Sequence, residues 1–227
     1  MTTSHTKGIN MKRILFSVVA LLCYAPSWAQ LTQGQHMVGG RLGLGFQLEN
    51  SGISYTNQDR IDWGTLGVEY GLSYHYLLTE HIGLGADLSY GNFEGGEAFK
   101  SSEDVDDTTH LFNTMLSARF TANPSDKFRL YIPVGLGLTT AQQDIHIDKY
   151  GVKYDKKATD TSLAWFVGAG LEFDLGNSGW SMGLEARYHT FRFDTDKLTR
   201  NAPAGVMGDG NRRLSYLLFQ VLISKRF

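Results

Sequence analysis

Cysteine is all but missing from this chain: Cys23 is the single one among 227 residues. It falls within the first 29 residues, so a chain trimmed there has no thiol left and no disulfide to brace it. Beyond residue 29 there is also no run of apolar residues approaching the roughly 18 that a membrane-crossing helix needs, which excludes helical spanning. A dominant charge is lacking too. Residues 1–29 hold three of the 21 basic side chains, Lys7, Lys12 and Arg13, and no acid, leaving 18 basic against 23 acidic. That balance argues against a nucleic acid partner. Glycine pairs such as Gly43 with Gly45 and Gly135 with Gly137 alternate with leucine and open no helix, so they are not a nucleotide-binding loop.

What is present begins with a leader. From Met11 the chain reads Lys12-Arg13, an apolar run from Ile14 to Tyr24, then Ala25-Pro26-Ser27-Trp28-Ala29, the basic, apolar and small-residue regions of a cleaved signal peptide. Cleavage is expected after Ala29. The apolar run is too short for a membrane anchor, which takes about 20 residues. Leu21-Leu22 ahead of Cys23 are not the small residues that lipidation requires. Residues 1–10 carry no pattern, so Met1 and Met11 both stand as start codons. The expected organisation is an extension and leader over 1–29 and one domain over 30–227.

That domain is written in alternation. Eight segments repeat an apolar residue followed by a small or polar one: Val38–Glu49, Leu66–Leu77, Ile82–Phe93, His110–Thr121, Phe128–Thr140, Ser162–Asp174, Trp180–Arg192 and Leu214–Phe227. Each reads as a strand with one greasy and one polar face. The last is greasy on both faces, though Leu217, Phe219, Val221, Ile223 and Phe227 share one parity. The connections alternate long and short without exception, with short turns at Leu78–His81, Ala122–Lys127 and Leu175–Gly179. A soluble sandwich has no reason to sort its loops this way, whereas a transmembrane barrel has short periplasmic turns and long extracellular loops. The expected fold is an all-β, eight-stranded antiparallel up-and-down transmembrane barrel with both chain ends in the periplasm.

The greasy faces must point outward, since a charge facing lipid costs up to about 2–4 kcal/mol. Tyr76, Phe120, Phe128, Phe173, Trp180 and Phe227 border the short-turn end and read as a periplasmic aromatic girdle. On these features the domain resembles the OmpA/OmpX-type eight-stranded outer-membrane barrels, a porin-like family of the Gram-negative cell envelope, over residues 30–227. The family's terminal signature is matched by Phe219, Val221, Ile223 and Phe227, and Lys225 departs from it, since an apolar residue is usual there. The resemblance implies outer-membrane localisation, contact with outer-membrane lipid and lipopolysaccharide, and recognition of that signature by the barrel-assembly machinery. No peptidoglycan-binding domain is expected.

Inward parity collects acids Glu69, Asp87, Glu172 and Glu185, bases Arg41, Arg119 and Arg187, and imidazoles His75 and His189. An eight-stranded barrel has room for its own side chains and little more, so these charges are tolerable only if paired. The expectation is a polar plug of ion pairs. The alternative is a set of pairs that rearrange to open a narrow channel for ions or small solutes.

No catalytic constellation or cofactor site stands out. Tyr188-His189-Thr190 offers a histidine beside a hydroxyl, but by parity His189 faces the lumen and Thr190 the lipid, and Phe191 stands where a lipid A deacylase has serine. Asp144, His146 and Asp148 share one face if the third long connection continues as a strand, and are read as a solvated ribbon in preference to a metal site. Glu103, Asp104, Asp106 and Asp107 could hold divalent cations but read as a solvated loop. The leading expectation is a non-enzymatic structural or surface-interaction barrel. Its specificity, toward an unidentified extracellular ligand, is expected in the loops around residues 50–65, 94–109, 141–161 and 193–213, with a channel and a lipid A modifying enzyme as the other readings.

Overall fold

The computed structural model describes residues 31–48, 53–55, 59–61, 66–94, 105–149, 152–202, 206–208 and 210–227. The leader, Cys23, Glu103 and Asp104 lie outside them, as do the side chains of Asp106, Asp107 and Asp148. The strands are β1 (His36–Gln47), β2 (Ile53–Tyr55), β3 (Asp59–Ile61), β4 (Leu66–Leu77), β5 (Ile82–Glu94), β6 (Val105–Thr121), β7 (Phe128–Lys149), β8 (Val152–Asp174), β9 (Trp180–Asp194), β10 (Val206–Gly208) and β11 (Asn211–Arg226), with a one-turn helix α1 (Asp196–Thr199) after β9.

Eight of these close into an antiparallel barrel in the order β1-β11-β9-β8-β7-β6-β5-β4, and β10-β2-β3 form a small separate sheet. Every barrel strand pairs with its long-strand neighbours in the chain, and the seam joins the first to the last, from Met37 opposite Arg226 to Gln47 opposite Tyr216. His36 and Phe227 close the seam through reciprocal backbone bonds of 2.9 and 3.0 Å.

Alternation decides which side of the wall each residue occupies. Leu42, Leu72, Leu116, Leu136 and Leu163 point outward and are exposed, whereas their polar and small neighbours line the interior. The short turns carry the expected chemistry. Gly176 and Gly179, both at φ 72°, take the left-handed conformation that a side chain would resist. At the other turn Asn123 accepts from the Leu130 N–H at 2.8 Å and donates to the Phe128 carbonyl at 2.6 Å. The girdle residues Tyr76, Phe120, Phe128, Phe173, Trp180 and Phe227 lie at this short-turn end, joined there by His36, whose ring centroid is 5.3 Å from that of Tyr76.

All four long connections differ from the sequence reading, the one expected over 94–109 because β6 begins at Val105, five residues before His110. The connection expected over 141–161 is largely strand: β7 runs on to Lys149 and β8 begins at Val152, paired in unbroken register from Val134 opposite Val167 to Lys149 opposite Val152. The reason is that alternation persists there, with Ala141, Ile145 and Ala158 buried on the inward side. The connection over 193–213 holds α1 and β10, and that over 50–65 holds β2 and β3. The β7–β8 ladder also has a gap over Ile132 and Pro133, because proline has no N–H to donate.

Candidate functional site: the barrel interior

The interior is layered from the short-turn end upward. In the lowest tier β6, β7, β8 and β11 bring Arg119, Arg129, Glu172, Asp174 and Arg226 together. Arg119 pairs with Glu172 at 2.6 Å and Arg129 with Glu172 at 2.8 Å, while Arg129 and Arg226 both pair with Asp174. The Arg119 guanidinium also lies 3.7 Å over the Tyr131 ring. Beside this tier His75 Nε2 meets Ser117 Oγ at 3.1 Å.

At mid-height Asp87 on β5 is shared by Arg41 from β1 and Arg187 from β9, the latter at 3.2 Å. Arg187 also pairs with Glu185, whose carboxylate accepts from the Gln220 amide. The network therefore crosses the barrel from one wall to the other. Among the described residues Asp87 Oδ2 and Arg41 Nε have no hydrogen-bond partner, and trapped water would satisfy them.

Above it Tyr216 acts as a hub. Its hydroxyl donates to Glu69 Oε2 at 2.7 Å, accepts from Asn113 Nδ2 at 3.3 Å and meets His189 Nδ1. Asn113 in turn bonds Ser89 and Thr139 at 3.0 and 2.7 Å. Glu69 thus joins a hydroxyl hub, not one of the arginine clusters.

The upper interior is largely apolar, with Thr109 and Gln143 buried within it, a feature that sequence reading missed in treating the interior as polar throughout. Phe93, Leu111, Met115, Phe166, Phe191, Phe193, Leu214 and Leu218 form one buried cluster, extended by Ile145, Ala158 and Leu198 of α1. Phe93 reaches across to Tyr216, ring centroids 5.0 Å apart. The signal was present: Phe191 and Phe193 share parity with His189, and the double-sided greasiness of the last strand is Leu214 and Leu218 facing in. The same parity rule would have found Arg129, Asp174 and Arg226.

The remaining candidates separate. His189 is buried on the inner face, whereas Thr190 lies on the outer side of the wall, bonded to the Leu214 carbonyl. Thr190 is nevertheless 3% exposed, so it does not meet lipid as parity alone implied. Asp144 pairs with Lys157 at 3.0 Å and His146 with Asp155, so these two do not converge. Among the described residues no three His, Cys, Asp or Glu are placed to hold a metal. Lys225, the departure from the terminal signature, bends over the Trp180 ring at 5.6 Å and donates to the Ser178 carbonyl, taking its charge out of the apolar face toward the turn.

A closed antiparallel barrel, greasy outside and charged within, defines a transmembrane β-barrel. The chain belongs to the outer membrane protein beta-barrel domain family, which it matches over residues 15–207, and its place is the bacterial outer membrane. Among solved structures it is similar to OprG of Pseudomonas aeruginosa, with 12% identity, 88% of this chain and 99% of that one covered, and a TM-score of 0.53. The N-terminal β-barrel domain of P. aeruginosa OprF shares 17% identity over 86% and 98% of the two chains, TM-score 0.42. The outer membrane protease OmpT of Escherichia coli shares 8% over 86% and 97%, TM-score 0.48. At this identity the likeness to OprG is one of fold. No curated protein matches the chain.

Proposed function

We propose that the protein is a non-enzymatic outer-membrane barrel with a closed lumen, whose specific role is surface interaction through the elements at its long-connection end. The observation that carries this reading is the mid-barrel network of Arg41, Asp87, Arg187 and Glu185, roofed by Phe93, Phe166, Phe191 and Phe193. Ions would have to break buried pairs and then pass an apolar layer, and both steps are costly. The Tyr216 hydroxyl that meets His189 donates to Glu69, and among the described residues no Ser, Thr or Cys bonds this imidazole, which supports the non-enzymatic part. The short turns are read as periplasmic, so that the β7–β8 hairpin, β2, β3, α1 and β10 face outside.

Planar-bilayer recording of the refolded chain tests closure: the expected trace is silent at all voltages, and steady unitary steps would overturn it. Lipid A from overexpressing cells should be unchanged by mass spectrometry, and a modified species would revive the enzyme reading. Export through the leader is part of the same reading, so the protein recovered from outer membranes should begin at Gln30.

A further inference from the structure

The outward face of β9 changes character as it rises, from Leu184 and Ala186 through Tyr188 and Thr190 to Arg192. On β11 the corresponding residues are Val221, Phe219, Leu217, Ser215 and Arg213. The register sets Arg192 directly opposite Arg213 and Thr190 opposite Ser215. Both arginines are exposed. Opposed side chains of one face lie about 5 Å apart at Cβ, where like charges repel. Among the described residues neither guanidinium has an ion-pair or hydrogen-bond partner.

Asp194, two residues above Arg192 on the same face, and Asp160, on the adjoining strand, pair with neither arginine. Asp194 Oδ1 accepts from the Asp196 N–H at 3.2 Å, and Asp160 takes Lys197 and the Asp194 N–H. Beneath the pair a chain of hydroxyls ties the strands together. Tyr188 donates to Ser215 at 3.0 Å, Ser215 to Thr190 at 3.1 Å, and Thr190 to the Leu214 carbonyl at 3.1 Å. The two arginines therefore stand on a stiff ladder whose own polar atoms are satisfied, with both forks free to take a ligand from outside the wall.

Height fixes what that ligand is. From Trp180 to Arg192, at about 3.3 Å per residue and a tilt of about 40°, the rise is roughly 30 Å, against an apolar band of about 25 Å. Trp165 and Tyr188, ring centroids 5.6 Å apart, mark the far interface just below. The pair thus lies at the headgroup level of the leaflet on the long-connection side. We propose that Arg192 and Arg213 form a binding site for a phosphate of lipid A in the outer leaflet. Two adjacent guanidinium forks match a phosphomonoester of nearly two negative charges, whereas the phosphodiester of a glycerophospholipid offers one. The site rests on the orientation proposed above.

The test uses the refolded full chain in zwitterionic micelles, titrated with diphosphorylated lipid A and read by native mass spectrometry. Heat-shifted gel mobility confirms that each variant is folded. The double variant R192Q/R213Q should bind roughly 10- to 100-fold more weakly, and Arg200→Gln, an exposed arginine off this face, should bind as the parent does. If the double variant does not fold, the single variants R192Q and R213Q should each show part of the loss. Dephosphorylated lipid A and phosphatidylglycerol should bind the parent weakly. Undiminished binding by the folded variants, or equal binding of phosphatidylglycerol, overturns the site. Orientation is read separately, by labelling Thr159→Cys in intact cells with an impermeant thiol reagent. Failure to label would overturn the orientation, and the lipid A assignment with it.

Discussion

Asp87 is the residue on which most of the interior depends, because one buried carboxylate pairs with Arg41 and Arg187 at once, while Glu185 supplies the second negative charge. Asp87→Ala leaves two guanidiniums buried with less than their full complement of charge. The expected loss is about 3–5 kcal/mol, read as a lower denaturant midpoint in micelles. Tyr216→Phe removes one oxygen and leaves Glu69 without its hydroxyl donor, for which about 1–3 kcal/mol is expected by the same measurement. Glu80→Ala, at an exposed turn where the carboxylate is 3.6 Å from His81, should stay within about 0.5 kcal/mol of the parent. Which residues face inward was legible, since parity needs only the sequence. Which acid meets which base was not. Partners across the lumen are set by the stagger of all eight strands, so nothing local links Asp87 of β5 to Arg187 of β9, or Glu69 of β4 to Tyr216 of β11.

Among the elements, β1, β4 and β5 meet around one ring. A Cβ added at Gly45, Gly67 or Gly91 would lie 2.7, 2.4 or 2.9 Å from the nearest atom of Phe93, so the three glycines are the space that the phenylalanine fills. Gly67→Ala should cost about 1–3 kcal/mol. In a double-mutant cycle with Phe93→Leu part of that loss should return, and strict additivity would show that the ring can move aside. At these three inward positions glycine leaves room for an aromatic ring. The β7–β8 hairpin is hard to read from sequence because its outward residues are polar or charged and its inward ones, Ala141, Gln143, Ile145 and Ala158, are only partly apolar. Ala141 and Ala158 give a weak apolar signal, although both are buried in the same cluster as Phe193 and Leu198.

On the scale of the whole molecule, the proposed closed lumen rests on two interior layers that act as separate barriers. Neutralising the mid-barrel network alone, as in Asp87→Ala with Arg187→Ala, should leave bilayers silent because the aromatic layer stays in place. Adding Phe93→Ala and Phe191→Ala should admit small ions. Conductance from the charge variants alone would show that the apolar layer is no barrier. The number, order and antiparallel pairing of the eight strands were legible from alternation and loop rhythm, which repeat along the chain and so survive misplaced strand ends. The layering was not, because it depends on how high each inward residue sits, and height is fixed by register between strands.

The seam between β1 and β11 has a consequence in time. The first strand of the barrel waits for the last, since Met37 finds its partner only at Arg226. Until β11 arrives, β1 and β9 each present an open edge of unpaired backbone beside a greasy face, a template for aggregation. Contacts that close a loop of nearly the whole domain also form slowly. The unfinished barrel is therefore exposed for longest when it is most adhesive, and a chain shortened within β11 should accumulate in that state, as protease-sensitive aggregate and not as a looser barrel.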